Sequence, residues 1–134
     1  MLKRLIVTVS FRESIQTIVL PKHGEHIVRD FFQNYTEITK QQINLYGGYW
    51  GLVDDARIDS QGTLWFNSGR RENVSVAFDT IKLPSLYEDY GYIDLEDLLG
   101  SYLLVIGTLK VTQFNKKYIT IDKTHHYALR LPNE

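Results

Sequence analysis

Residues 101–114 constrain the fold more than any other stretch of the chain. Leu103, Val105, Leu109 and Val111 fall on one side of an extended run, while Leu104 and Ile106 are apolar on the other. A strand with that pattern is covered on both faces along its first half, so it lies inside a layered β structure and not at a solvated edge. Residues 116–121 make a further strand after a turn at Asn115, and the chain closes through Tyr127, Leu129 and Leu131.

The preceding segments are also β in character. Residues 74–78 alternate, with Val74, Val76 and Phe78 inward. Residues 49–59 and 63–67 read as a hairpin around Ser60-Gln61-Gly62, with Trp50, Leu52, Ala56 and Ile58 on one side of the first strand. Asp94 is placed to cap a short helix carrying Leu95, Leu98, Leu99 and Tyr102, with Glu96 and Asp97 in its first turn and Gly100 at its end.

At the N-terminus, Leu5, Val7, Val9 and Phe11 alternate with polar residues and predict a strand, with residues 15–20 as its hairpin partner. Val28, Phe31, Phe32, Tyr35, Ile38, Ile43 and Tyr46 then recur at three- and four-residue spacing, which predicts one long helix ended by Gly47-Gly48. That helix is the expected cover for Leu104 and Ile106. The expectation is one domain spanning 1–134, with a hairpin and helix over 1–46 and a barrel over 49–131. The alternative is an α+β domain with all strands in one antiparallel sheet and the long helix across it.

Residues 49–123 run strand, strand, strand, short helix, strand, strand. The phrase Val105-Ile106-Gly107-Thr108-Leu109-Lys110 leads to Lys117-Tyr118-Ile119-Thr120-Ile121-Asp122. This order and these two strands resemble the OB-fold superfamily, in particular its single-stranded-DNA-binding and tRNA-anticodon-binding members. The resemblance covers about half the chain. It implies a mostly β, α+β chain: a five-stranded OB-like Greek-key barrel preceded by a β-hairpin and one long helix. It also implies a ligand face on the second and third barrel strands and the loops joining strands one to two and four to five.

On that face an outward set of Tyr49, Arg57 and Trp65 offers stacking surfaces, with Phe114 and Tyr118 as further stackers. Arg70, Arg71, Lys110, Lys116 and Lys117 supply cations for phosphate. Stacked bases and released counterions are what sequence-tolerant single-strand binding requires. The competing reading of Trp65 and Tyr49 is packing beneath the N-terminal element or against another subunit. Net charge is −1, so any attraction for phosphate is local. The charge is polarised: Lys110, Lys116, Lys117, Lys123 and Arg130 outnumber Asp122 and Glu134 near the C-terminus, and Glu88, Asp89, Asp94, Glu96 and Asp97 precede them.

Other chemistry has less support. There is no cysteine, which removes disulfides, thiolate zinc sites and thiol nucleophiles. His23 and His26 lack the i, i+4 helical spacing of a metalloprotease site, and adjacent His125 and His126 point to opposite faces of a strand, so no metal or other cofactor is expected. No nucleophile elbow, phosphate-cradling loop or dinucleotide fingerprint occurs. Asp54, Asp55 and Asp59 do not share one face, so catalysis has no motif behind it. No apolar stretch approaches membrane-span length, which points to a cytoplasmic protein without a membrane partner. The expected function is noncatalytic binding of single-stranded DNA or RNA. The alternative is a protein-interaction subunit or immunity-type inhibitor using the acidic stretch 88–97 and Tyr87, Tyr90 and Tyr92, and a third reading is a small-ligand pocket in the barrel mouth.

Overall fold

The computed structural model describes residues 16–20, 22–67, 74–79, 83–91, 94–121 and 126–132. Among them are ten strands: β1 (Thr17–Leu20), β2 (Gly24–Ile27), β3 (Phe32–Asn34), β4 (Tyr46–Leu52), β5 (Asp55–Ile58), β6 (Leu64–Asn67), β7 (Ser75–Phe78), β8 (Tyr102–Val111), β9 (Lys117–Ile121) and β10 (Tyr127–Arg130). Two α-helices, α1 (Val28–Phe31) and α2 (Leu83–Tyr90), and short 3₁₀ turns connect them. The chain is thus mostly β with two helices. The strand expected over residues 5–11 lies outside the described residues.

β8 organises the structure. One of its edges is taken by β4 along its length, from Tyr46↔Thr108 to Leu52↔Tyr102. The other edge is shared by β10, opposite Tyr102 to Val105, and by β9, opposite Leu109 to Val111. Gly107 sits at the changeover, where a Cβ would come within 2.8 Å of the Ile119 Cγ2. The hydrogen-bonded path runs β3-β4-β8-β9-β7-β6-β5, with β7 and β9 parallel. This path is open, with β3 and β5 at its ends, so the ladder is not the closed five-stranded barrel expected from the sequence, and the strand count differs.

The phase of the first hairpin strand differs as well. Tyr49, Gly51 and Val53 face inward, followed by Ala56, whereas Trp50 is half-buried and Leu52 and Ile58 are exposed. The physical reason is the break at Val53-Asp54. There Val53 leaves the ladder to exchange hydrogen bonds with the loop before β8, from its N–H to the Ser101 carbonyl and from the Gly100 N–H to its own carbonyl, each 2.8 Å. A single-residue change of phase moves every following side chain to the other face.

The long helix predicted over residues 28–46 is not formed. α1 lasts one turn, and the chain then enters β3, parallel to β4, followed by 3₁₀ turns at Tyr35–Glu37 and Lys40–Gln42. Side chains compete with the helix here: the Asn34 carboxamide accepts from the Thr36 N–H at 2.9 Å, and the Gln42 side-chain oxygen accepts from the Thr39 N–H at 2.7 Å. Such local bonds and β-branched residues disfavour a continuous helix. Phe32, Tyr35 and Ile38 are buried at three-residue intervals all the same, because extended and 3₁₀ segments also bury every third residue here. The aromatic rings of this segment lie over the glycines of β4: Gly48 leaves room for Phe31 and Phe32, and Gly51 for Tyr35, where any Cβ would collide with the ring.

Two apolar clusters result. Leu64, Phe66, Val76, Phe78, Leu103, Val105, Leu109, Ile119 and Ile121 form the larger, which α2 joins through Leu86. In the smaller, Ile18, Leu20, Val28 and Phe32 cover Leu104, Ile106 and Ala128. The first half of β8 is therefore buried on both faces, but the cover is the β1–β2 hairpin with α1 and β3. The helix expected from Asp94 is a single 3₁₀ turn, Leu95–Leu98, with the Asp94 N–H donating to the Asp97 carboxylate at 3.3 Å. Leu99 is exposed and Tyr102 belongs to β8. α2 was not anticipated; the Tyr90 hydroxyl of its last turn accepts from the Leu129 N–H at 2.8 Å and ties it to β10.

Candidate nucleic-acid interface

The outer face of β5, β6, β7 and β9 carries the site. Register places Arg57 opposite Trp65, Trp65 opposite Ala77, and Ala77 beside Thr120; the adjacent row runs Ser75, Tyr118, Lys110. Leu64 and Phe66 turn into the core from the same strand, so alternation alone puts Trp65 outward. Between the two large rings the row positions on β7 are the small residues Ser75 and Ala77. Trp65 and Tyr118 meet edge to face across them, with ring centroids 6.3 Å apart and planes at 68°.

Trp65 is held by the turn that precedes it. Its Nε1–H donates to Asp59 Oδ2 at 2.9 Å, and Asp59 Oδ1 accepts from the Gln61 and Thr63 N–H groups at 2.9 and 3.0 Å. Gly62 supplies the left-handed residue of this turn, with φ +84°. The Trp65 indole bond, followed by the backbone donors, holds the Asp59 carboxyl below the ordinary aspartate range. With its only donor engaged at its edge, the half-buried indole has ring surface alone to offer the groove.

The β8–β9 loop closes the other side. Thr112 Oγ1 accepts from the Phe114 and Lys116 N–H groups at 3.2 and 3.1 Å, and Asn115 takes φ +62°. This turn leaves Phe114 72% exposed. Arg57, Asp59, Trp65, Ser75, Thr112, Phe114, Lys116 and Tyr118 together line a groove of about 620 Å³.

Arg57, Trp65, Phe114, Lys116 and Tyr118 thus converge as the sequence suggests. Lys110 is exposed on the same face, next to Tyr118. Lys117 points to the other face of β9, since strand neighbours alternate. Tyr49 is 2% exposed and packs in the larger core, so it is no stacking platform; burial also pushes its hydroxyl pKa up. Arg70 and Arg71 lie outside the described residues. Arg57 also approaches Asp55, Nε to Oδ2 3.7 Å, between exposed side chains. Asp59, Ser75 and Thr112 were not expected in the site. The Asp-x-x-Gly turn is the sequence signal that marks Asp59, since aspartate bonds its own turn backbone.

Among the described residues the metal and carboxylate candidates of the sequence lie apart. The His23 ring stacks on Tyr46 at 3.9 Å, and His26 Nε2 donates to the His23 carbonyl at 2.6 Å. Among the described residues no three His, Asp or Glu side chains converge to hold a metal ion, and His125 is outside them. A second cavity of about 230 Å³ lies between His26, Phe31, Gln33, Gln42, Tyr46 and Tyr49. Among the described residues no helix is long and apolar enough to cross a membrane. No family model matches the chain, and no match was found among curated proteins.

Proposed function

We propose that this chain is a noncatalytic module of OB type that binds single-stranded nucleic acid in the groove of Trp65, Phe114 and Tyr118. The observation that carries the reading is the Trp65 indole, fixed at its edge by Asp59 and offering its faces to a groove with Tyr118 and Phe114 beside it and Arg57 and Lys116 on its rim. Base stacking of this kind is worth about 1–3 kcal/mol per base and tolerates any sequence, and the cations add a salt-dependent contribution.

The OB reading draws support from connectivity. β4 and β5 are separated only by Val53 and Asp54. Taken as one bent strand, they make the path β4-β8-β9-β7-β6-β5 return to its own start, with the parallel β7–β9 pair between the third and fifth members. The groove then occupies the second and third strands and the loop between the fourth and fifth, where OB proteins bind ligands.

Fluorescence anisotropy of labelled single-stranded DNA and RNA at two salt concentrations tests the proposal. Binding that weakens at the higher salt and is lost in Trp65→Ala and reduced in Lys116→Ala is expected. A folded protein indifferent to all oligonucleotides overturns the reading and turns attention to a protein partner for the exposed acidic residues Glu88, Asp89, Asp94, Glu96 and Asp97.

A further inference from the structure

We infer that Thr112 is a phosphate-binding residue of this groove, its hydroxyl donating to a backbone phosphate of the single strand beside Lys116. This deepens the proposed nucleic-acid reading and rests on it. A threonine hydroxyl carries one hydrogen and accepts through two lone pairs. Both lone pairs of Thr112 Oγ1 are taken inside the β8–β9 turn, by the Phe114 N–H at 3.2 Å and the Lys116 N–H at 3.1 Å. Main-chain bonds close the same turn: the Thr112 N–H donates to the Lys116 carbonyl at 2.9 Å, and the Asn115 N–H to the Thr112 carbonyl at 3.0 Å. Among the described residues the hydroxyl hydrogen has no acceptor, and Thr112 is half-buried in the groove lining. The group can therefore only donate, in a direction that the turn leaves open.

An anion is the acceptor that suits this place. The bond from the Lys116 N–H to Oγ1 holds the lysine next to the hydroxyl, and both residues line the groove with Phe114, whose ring is 72% exposed, between them in the chain. A base stacked on that ring brings the strand's backbone to the same rim. Threonine hydroxyls and lysines commonly contact phosphate, and a hydrogen bond to a charged acceptor is about twice as strong as one between neutral groups. The other flank of the groove repels phosphate. Asp59 lines it, its carboxyl held below the ordinary aspartate range and its oxygens engaged by the Trp65 Nε1–H and the turn N–H groups. Like charge there turns the backbone toward Thr112 and Lys116. Lys116 supplies charge without direction, and Thr112 supplies the direction.

The experiment compares two DNA strands of one mixed sequence, a phosphodiester and its uniform methylphosphonate analogue, which keeps the bases and removes the backbone charge. Binding to the native chain, Thr112→Val and Thr112→Ser is followed in low salt by NMR, through the ring-proton shifts of Phe114 and Tyr118, at concentrations that capture weak binding. Thr112→Val removes the donor and is expected to weaken binding of the phosphodiester strand about fivefold, with Thr112→Ser near the native value. On the methylphosphonate strand the native chain and Thr112→Val are expected to bind alike, because the charged acceptor is gone. Equal weakening of both strands by Thr112→Val marks a contact to a base or a loosened turn and overturns the inference. Native affinity of folded Thr112→Val for the phosphodiester strand overturns it too, and both results leave the nucleic-acid reading standing. A native chain that binds neither strand overturns that reading and this inference with it.

Discussion

The two tryptophans sit in strands of one sheet, each near a tyrosine, and their surroundings are opposite. Trp50 and Tyr102 have ring centroids 6.3 Å apart, packed against the smaller cluster, and the Arg130 guanidinium lies 4.7 Å over the Tyr102 ring. Trp65 and Tyr118 have the same separation but line an open groove, with Asp59 holding the indole at its edge. On the first side the β1–β2 hairpin and α1 pack against the sheet, and Gly48 in β4 leaves room for the Phe31 and Phe32 rings. On the second, small residues on β7 separate the rings. Aromatic side chains join the core where an appended layer and glycine backbone meet them, and line an open groove where a polar anchor fixes them.

Breaking the shared core abolishes both environments. Phe78→Ala removes a fully buried ring that meets Phe66 and Tyr127 edge to face, and a loss of about 3–5 kcal/mol is expected in denaturant unfolding. Emission from both tryptophans then unfolds together.

Gly51→Ala acts on the larger cluster through Tyr35. Its Cβ enters the space of the Tyr35 ring, and a destabilisation of about 1–3 kcal/mol or more is expected from overpacking. On the proposed function, oligonucleotide affinity of the folded fraction is expected to stay unchanged. A loss of affinity without loss of stability breaks the separation between the two sides.

Trp65→Ala is the reverse. On the proposed function it is expected to lower oligonucleotide affinity by about 1–3 kcal/mol, whereas stability, read by chemical denaturation through Trp50, is expected to change by less. Tyr90→Phe removes the acceptor of the Leu129 N–H and is expected to cost about 1 kcal/mol of stability without touching the Trp65 groove.

The smallest effect is in pH. The Asp59 carboxyl is held below its ordinary value in the folded chain, first by the Trp65 bond. The stabilisation it gives the turn is present above the unfolded-state value and is lost as pH falls through the lower folded-state value. Trp65 emission in Trp50→Phe is therefore expected to shift only below the ordinary aspartate range. The same titration in Trp65→Phe, which reports Trp50, lacks this step.

Much of this was legible in the sequence where a strand has one wet face. The alternation through Leu64, Trp65 and Phe66 put Trp65 outward, and Arg57, Phe114, Lys116 and Tyr118 followed from strand and loop assignment. Tyr49 was misplaced because the phase change at Val53-Asp54 depends on bonds to Gly100 and Ser101, about fifty residues away. Lys117 departs from the groove set because strand alternation turns it away from Tyr118.

Residues 28–46 show the other boundary. Spacing by three and four identified the buried set Val28, Phe32, Tyr35 and Ile38, since burial follows from apolar surface whatever the backbone does. It did not identify the backbone, because extended and 3₁₀ segments bury the same residues once β4 offers glycines beneath them. The sequence by itself determined the buried set Val28, Phe32, Tyr35 and Ile38 and that the C-terminal half is β. Only the tertiary structure decided the phase of β4, the cover over Leu104 and Ile106, and the Asp59–Trp65 bond, because each depends on groups brought together by strand pairing or a turn and not by their spacing.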